Sequence, residues 1–223
     1  MPNVLVVSAH PDDEVIGCGG TLLKHAAAGD RLTWLIITNV STAHGFSAER
    51  VASRQAEIEQ VAQALGIHET HKLDYPTMSL DSTVLVGMVP RVSEVVQATQ
   101  PEIIYVMNRS DAHSDHRVTF DAVAACTKSF RYPYIKRVLM YECLSETEFA
   151  PALPERVFQP NYYVDITPYQ ARKLEIMRIY ESELGAHPFP RSERNLEALA
   201  VFRGASVGVE YAEAFQLVKF IDK

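Results

Sequence analysis

The chain has 223 residues, of which 47% are hydrophobic and 22% charged, with a formal net charge of -7. That is ordinary globular usage with enough length to bury a sizeable core, and it excludes disordered, collagen-like and membrane-spanning classes. The 21 basic residues are scattered rather than clustered, so no broad phosphate-neutralising surface is offered and no nucleic-acid partner is expected.

The opening MPNVLVVSAHPDDE has no basic n-region and only a short apolar run before its first charges, which argues against a signal peptide. No apolar stretch approaches the ~18 residues that suggest a transmembrane segment. Cys18, Cys126 and Cys143 are odd in number, far apart and without CxxC spacing. Neither a disulfide framework nor a thiolate zinc site is expected, and a reducing, cytoplasmic setting fits best. The acidic balance suits a small polar or cationic ligand.

Residues 3–8 (NVLVVS) are a short β-branched run and read as a buried strand. A polar loop follows, then a helix over 15–28 closed by Gly29-Asp30, and a second strand over 31–38. Ser47 caps the next helix, which runs to Leu65 and stops at Gly66. A third strand over 71–73, a helix over 84–99 and a fourth strand over 102–106 come next. The polar stretch NRSDAHSDH leads into a helix over 117–127, and strands follow at 138–143 and 162–166. Thr167-Pro168 opens a helix to Leu184, and 185–193, with two prolines, reads as a loop. Strands alternating with helices require right-handed crossovers. The expected fold is therefore α/β and Rossmann-like, a mostly parallel sheet flanked by helices. No repeat, low-complexity segment or linker divides the chain, so one domain over 1–223 is expected.

In such sheets ligands collect at the carboxyl ends of the strands, near the point where strand order reverses. Two loops there carry dense titratable chemistry, AHPDDE after the first strand and DAHSDH after the fourth. His10 and Asp13 stand three apart in one; His113 and His116 stand three apart in the other, with Asp115 between them. A three-residue step in a tight turn points two side chains the same way. Zinc accepts imidazole nitrogen and carboxylate oxygen, and catalytic sites use three protein ligands with one open position. Four candidates thus compete for three places, and spacing does not choose among them. Asp12 and Asp13 are adjacent and cannot both face one ion. One is expected to bind it while the other takes a proton from the attacking water. A histidine of the second loop would stabilise the oxyanion or protonate a leaving amine, oriented by a hydrogen bond from Asp115. One His-Asp pair in a loop is commonly a cap or a surface hydrogen bond; two clusters closing strands of one sheet call for another explanation.

With AHPDDE after an N-terminal strand and H-x-D-H at 113–116, the chain resembles the LmbE-like (PIG-L) de-N-acetylase family. R-x-x-E at 54–57, Tyr141-Glu142, VDIT at 164–167 and RGASVGVEYAEAF near the C-terminus extend the likeness over nearly the whole chain. The resemblance implies a zinc-dependent hydrolase that removes an N-acetyl or similar N-acyl group from a small amino-sugar substrate. It makes His10, Asp13 and His116 the zinc ligands and Asp12 the general base. By the same resemblance a protonated His113 assists the oxyanion and leaving group, Asp115 tunes it, and Arg54 and Asp74 contact sugar hydroxyls. Glu57, one turn beyond Arg54, is a ready partner for it. The family motif usually reads H-P-D-H; Ser114 at the proline position loosens the turn but leaves the functional side chains in place. Iron(II) is an alternative occupant of a His-His-Asp site, and some relatives assemble into hexamers, which leaves a homo-oligomer open.

Other signals are weaker. GCGG at 17–20 lacks the full dinucleotide-binding spacing, and its glycines more simply let a helix pack closely behind the metal loop. No G-x-S-x-G elbow is present. A non-haem iron triad would leave Asp12 and the second His-Asp pair without work, and a sugar-binding scaffold predicts a lost ligand or base. His187 could belong to a lid, while His25, His44, His68 and His71 have no clustered partners.

Overall fold

The first β-branched run takes the centre of a seven-stranded sheet as Asn3–Ser8 (β1) in the computed structural model, which describes residues 1–222. Arg31–Asn39 (β2) and Ile103–Met107 (β4) flank it in parallel, with Glu69–Pro76 (β3) parallel to β2 and Arg137–Tyr141 (β5) parallel to β4. Tyr162–Asp165 (β6) and Ala212–Phe220 (β7) complete the far edge in antiparallel register, giving the order β3-β2-β1-β4-β5-β7-β6. The chain steps outward from β1 to β3 and then returns to the other side of β1 as β4. Strand order therefore reverses between β1 and β4, and the loops that follow these two strands abut.

The helices are Asp13–Ala27 (α1), Ala48–Leu65 (α2), Ser82–Thr99 (α3), Ser114–Ala125 (α4), Gln170–Met177 (α5) and Glu193–Ala205 (α6). Among the described residues no helix is long and apolar enough to cross a membrane. The core is built from the β-branched strand interiors, with Val6, Val7, Leu35, Ile36, Ile104 and Val106 fully buried.

Several boundaries move for local reasons. α1 starts at Asp13 rather than Val15, because Asp12 serves as its N-cap and Asp13 and Glu14 fill the first turn, where negative charge meets the positive end of the helix dipole. The Asp81 carboxylate accepts from Thr83 N at 2.8 Å and starts α3 two residues early. The helix expected to reach Leu184 ends at Met177; Ile179 N and Tyr180 N donate to carbonyls three residues back, tightening the chain into a turn. That turn sends Tyr180 into the core, where its hydroxyl donates to Glu14 Oε1 at 2.8 Å. α6 and β7 were not anticipated. In β7 the buried positions include the small Ala212 and Ala214 and the charged Glu213, so the segment carries no apolar run.

The glycines of GCGG do permit close packing. A Cβ built on Gly17 would lie 2.1 Å from Tyr141 Cδ2, and Tyr141 in turn donates its hydroxyl to Val7 O at 2.8 Å. Gly17→Ala should therefore cost about 1–3 kcal/mol of stability by overpacking. Chemical denaturation checks this; a midpoint unchanged from wild type would show that α1 can shift freely over β5.

Candidate metal centre

The turn after β1 places two carboxylates in different directions. Asp12 holds φ at +142°, a region that side chains other than glycine rarely occupy and that costs about 1–3 kcal/mol. Its carbonyl accepts from Val15 N and Ile16 N, both at 3.0 Å, and its own N–H donates to Glu14 Oε2 at 3.1 Å. Asp13 is held by the His10 N–H, which donates to Oδ2 at 2.8 Å. Burial, with the Asp13 and Glu183 carboxylates nearby, raises the pKa of Asp12 well above the usual carboxylate range, against the pull of His10 and Arg191. Burial also opposes ionisation of Asp13, but His116 and His10 outweigh it and lower its pKa. Glu14, fully buried beneath the turn, is pushed up to about 8 by burial, which the hydrogen bonds from Tyr180 and Asp12 only partly offset.

The loop after β4 supplies the other half. His116 is 1% exposed, and its Nδ1 lies 2.8 Å from Asp111 Oδ2. Asp111 is itself fully buried and accepts from Asn108 Nδ2 at 2.9 Å and Thr147 Oγ1 at 2.7 Å. With Nδ1 turned to Asp111, His116 directs its Nε2 toward Asp13 Oδ1 at 3.2 Å. Among the described residues this buried Nε2 has no hydrogen-bond partner. Burial alone would depress His116, but the carboxylates of Asp13 and Asp111 raise its pKa well above the usual value. A proton or a cation has to sit between Nε2 and Asp13, and the lack of hydrogen-bond geometry there favours a cation.

His10 follows the same plan. Its Nε2 lies 3.0 Å from Asp115 Oδ2, leaving Nδ1 facing Asp13 Oδ2 at 3.8 Å. His10, Asp13 and His116 bring one donor atom each within 4.8 Å of one another, as do His10, His113 and Asp115. The first set fits a cation better, because the Asp115 oxygens are already engaged by Met78 N (2.8 Å), Leu80 N (2.9 Å) and His10. Each histidine of the first set has a carboxylate behind it, Asp115 for His10 and Asp111 for His116, the outer arrangement that fixes tautomer and ring orientation in metal sites.

His113 differs from its expected setting. It caps α4, and its Nδ1 accepts from the backbone N–H of Asp115 at 3.1 Å. The Asp115 carboxylate is 4.0 Å away and makes its hydrogen bonds elsewhere, so the expected side-chain bond between this pair is replaced by a backbone one. Burial and His10 push His113 down to about 4, against the carboxylates of Asp115 and Asp13. With Nδ1 accepting from that backbone N–H, Nε2 is the nitrogen left to carry a proton into the cavity.

His10, Asp12, Asp13, His113 and His116 line a cavity of about 320 Å³ whose walls also include Val40, Phe46, Met78, Cys143 and Arg191. Arg54 reaches it from a buried position. Its guanidinium donates to Pro11 O at 2.9 Å, pairs with Glu57 at 3.2 Å and contacts Glu183. Arg54 therefore braces the metal loop while lining the cavity. Asp74 lies outside the lining; it is exposed and accepts from Asn39 Nδ2 at 3.1 Å, and Asn39 itself lines the cavity. Glu183 gathers Arg50 (3.1 Å), Arg54 and Arg191 (3.3 Å) on the wall beside Asp12. His187 is exposed and outside the lining. His25 does have partners, Asp30 at 2.7 Å and Tyr105 at 2.9 Å, away from this cavity.

Sequence reasoning missed Asp111, Glu183 and Arg191. Asp111 stood within DAHSDH, and its signal was a second carboxylate for a second ligating histidine. Glu183 and Arg191 carry no local signal, because folding alone brings residues beyond α5 to the β1 loop.

Comparison with known proteins adds four findings. The family model described as PIG-L, GlcNAc-PI de-N-acetylase, matches residues 5–127. A diacetylchitobiose deacetylase of Thermococcus kodakarensis is 28% identical over 96% of this chain and 82% of its own length. The structure of an N,N'-diacetylchitobiose deacetylase from Pyrococcus horikoshii superimposes with a TM-score of 0.77 at 24% identity, covering 98% of this chain and 84% of that one. A 4-carboxy-2-hydroxymuconate hydratase of Pseudomonas putida shares the fold too, at 20% identity and a TM-score of 0.73 over 100% of this chain and 98% of that one. The fold by itself therefore does not specify one reaction.

Proposed function

Because this chain belongs to the PIG-L de-N-acetylase family, we propose that it is a metal-dependent hydrolase that removes an N-acetyl or similar N-acyl group from an amino-sugar substrate. The observation that carries the reading is the buried His116 Nε2, unpartnered among the described residues, facing Asp13 Oδ1 at 3.2 Å beside Asp12. His10, Asp13 and His116 would hold the cation, zinc by the chemistry of its donors and iron(II) as the alternative. When bound, the cation supplies Lewis acidity to the acyl carbonyl and makes a water acidic enough to attack.

The residues of the chain perform the rest. Asp12, held toward the cavity by its unusual backbone, takes a proton from the attacking water as the oxygen reaches the carbonyl carbon. His113, whose Nδ1 is engaged by the backbone, donates its Nε2–H to the carbonyl oxygen as negative charge develops there. Collapse of the tetrahedral species breaks the C–N bond, and the proton held by Asp12 passes to the departing amine. Arg54 keeps the carbonyl of Pro11, and with it the Asp12 turn, in place. The acyl group leaves as a carboxylic acid and the sugar as a free amine, and the acid's remaining proton passes to the amine or to solvent.

The amino-sugar assignment is drawn from the named activities of the relatives, and a small N-acyl sugar is the proposed partner. The test is acetate release from N-acetylglucosamine and N,N'-diacetylchitobiose by zinc-loaded and chelator-stripped protein. Release that requires the metal is expected. No release from either sugar by protein carrying one metal per chain would overturn the substrate class.

A further inference from the structure

We propose that Lys173 and Glu213 are positioning residues for this reaction: their buried ion pair binds backbone groups on both sides of a break in α1 and thereby fixes the turn bearing Asp12 and Asp13. The inference rests on the hydrolase reading above. It concerns residues of α5 and β7 that lie beyond the matched residues 5–127.

α1 is broken at Cys18, whose φ and ψ are -147° and 20°. An unbroken helix would pair Gly20 N with Ile16 O and Thr21 N with Gly17 O. Across the break at Cys18, Gly20 N donates to Glu213 Oε1 at 2.9 Å and Thr21 N to Glu213 Oε2 at 2.7 Å. On the other side of the break, Ile16 O accepts from Lys173 Nζ at 2.8 Å. Lys173 Nζ and Glu213 Oε1 close the arrangement at 2.7 Å. The two charges take opposite ends of the gap: an anion meets the amides that begin the second segment, and a cation meets a carbonyl that ends the first. This is the sense the helix dipole favours at each end.

Lys173 and Glu213 are 5% and 4% exposed. A buried ion pair is a poor source of net stability, since desolvation offsets most of its attraction. What it supplies here is direction. The first segment is little more than one turn, and Ile16 belongs to both of its ends: its N–H closes the turn on Asp12 O at 3.0 Å, while its carbonyl is held by Lys173. The turn that carries the base and one metal ligand is thus anchored at its far end by a side chain from another element. The glycines allow the approach, since a Cβ on Gly19 would already lie 3.3 Å from Lys173 Cγ.

The experiment compares wild type with Lys173→Met/Glu213→Gln, which removes both charges together, and with Glu213→Asp, which keeps the pair but withdraws the carboxylate. Val96→Ala, a cavity variant in α3, controls for lost stability. Hydrogen exchange is followed in the metal-free proteins, zinc affinity by chelator competition, and kcat and KM where turnover is measurable. In wild type the Gly20 and Thr21 amides should exchange as slowly as the sheet core; rapid exchange there would show that the splint does not form. In the two splint variants, exchange of residues 13–18 should rise while the sheet stays protected. Zinc affinity should weaken about tenfold to a hundredfold, as for lost outer-shell support, and kcat should fall about a hundredfold with little change in KM. The Val96→Ala variant should show none of these local changes. Splint variants with wild-type exchange over 13–18 and wild-type zinc affinity would overturn the proposal. A wild type that binds no zinc would instead defeat the hydrolase reading, and the exchange comparison would still decide whether the splint orders the turn.

Discussion

Asp12→Asn should retain its metal and lose nearly all turnover. Asparagine matches aspartate in shape and is among the few residues that tolerate a positive φ, so the turn at +142° survives the change. The hydrogen bonds that hold this turn use the backbone of Asp12, not its side chain: its carbonyl accepts from Val15 N and Ile16 N, and its N–H donates to Glu14. The three ligands are untouched as well. What disappears is the only side-chain function proposed for Asp12, acceptance of a proton from water and its delivery to the amine. General-base catalysis of this kind contributes about 10²–10⁴-fold, and the expected loss in kcat lies in that range. Turnover and elemental metal content measured on one preparation decide the matter. A variant that keeps its metal and still turns over at a wild-type rate would move the base elsewhere in the cavity.

The second large effect is on the metal itself. His116→Ala should abolish stoichiometric binding, because it removes a buried donor and leaves Asp111 and Asp13 with no group between them. Asp111→Asn should act through the ring it orients: the His116 tautomer is no longer enforced, and affinity should fall about tenfold to a hundredfold. In the metal-free protein the carboxylates of Asp13 and Asp111 raise the pKa of His116, so a proton occupies the ring until the cation displaces it. Binding then releases a proton, and affinity should climb with pH by about tenfold per unit until the raised pKa is passed. Chelator competition across pH reads both effects. Affinity independent of pH would mean that His116 is not the group the cation displaces, and an alanine variant that still held one metal per chain would point to the His10, His113 and Asp115 set.

Much of this site was legible along the chain because it is local. AHPDDE and DAHSDH each pack their chemistry into one turn at the end of an apolar strand, so spacing alone marks His10, Asp12, Asp13, His113 and His116. The alternation of strands and helices then requires crossovers that bring the two loops to one edge of the sheet. The glycines of GCGG were readable for the same reason, since close packing behind a loop is a demand on consecutive residues.

The tertiary structure decided what depends on residues far apart. Asp115 was read as the partner of its neighbour His113, yet its carboxylate turns to His10 and to the amides of Met78 and Leu80. Arg54 was read as a sugar contact with Glu57 as its partner; it does pair with Glu57, but it is also buried against Pro11 and Glu183. α5 ends early because Tyr180 finds Glu14, and β7 hides in the sequence because Glu213 is spent on α1. In each case the preference of a polar group once it leaves water is set by whichever donor or acceptor the fold brings within about 3 Å. Sequence periodicity determines which faces are buried and which turns carry chemistry. It carries no information on which distant partner satisfies a buried charge, because that depends on how strands 99 residues apart in the chain come to lie side by side, as β1 and β4 do from Val4↔Ile103 to Val6↔Tyr105.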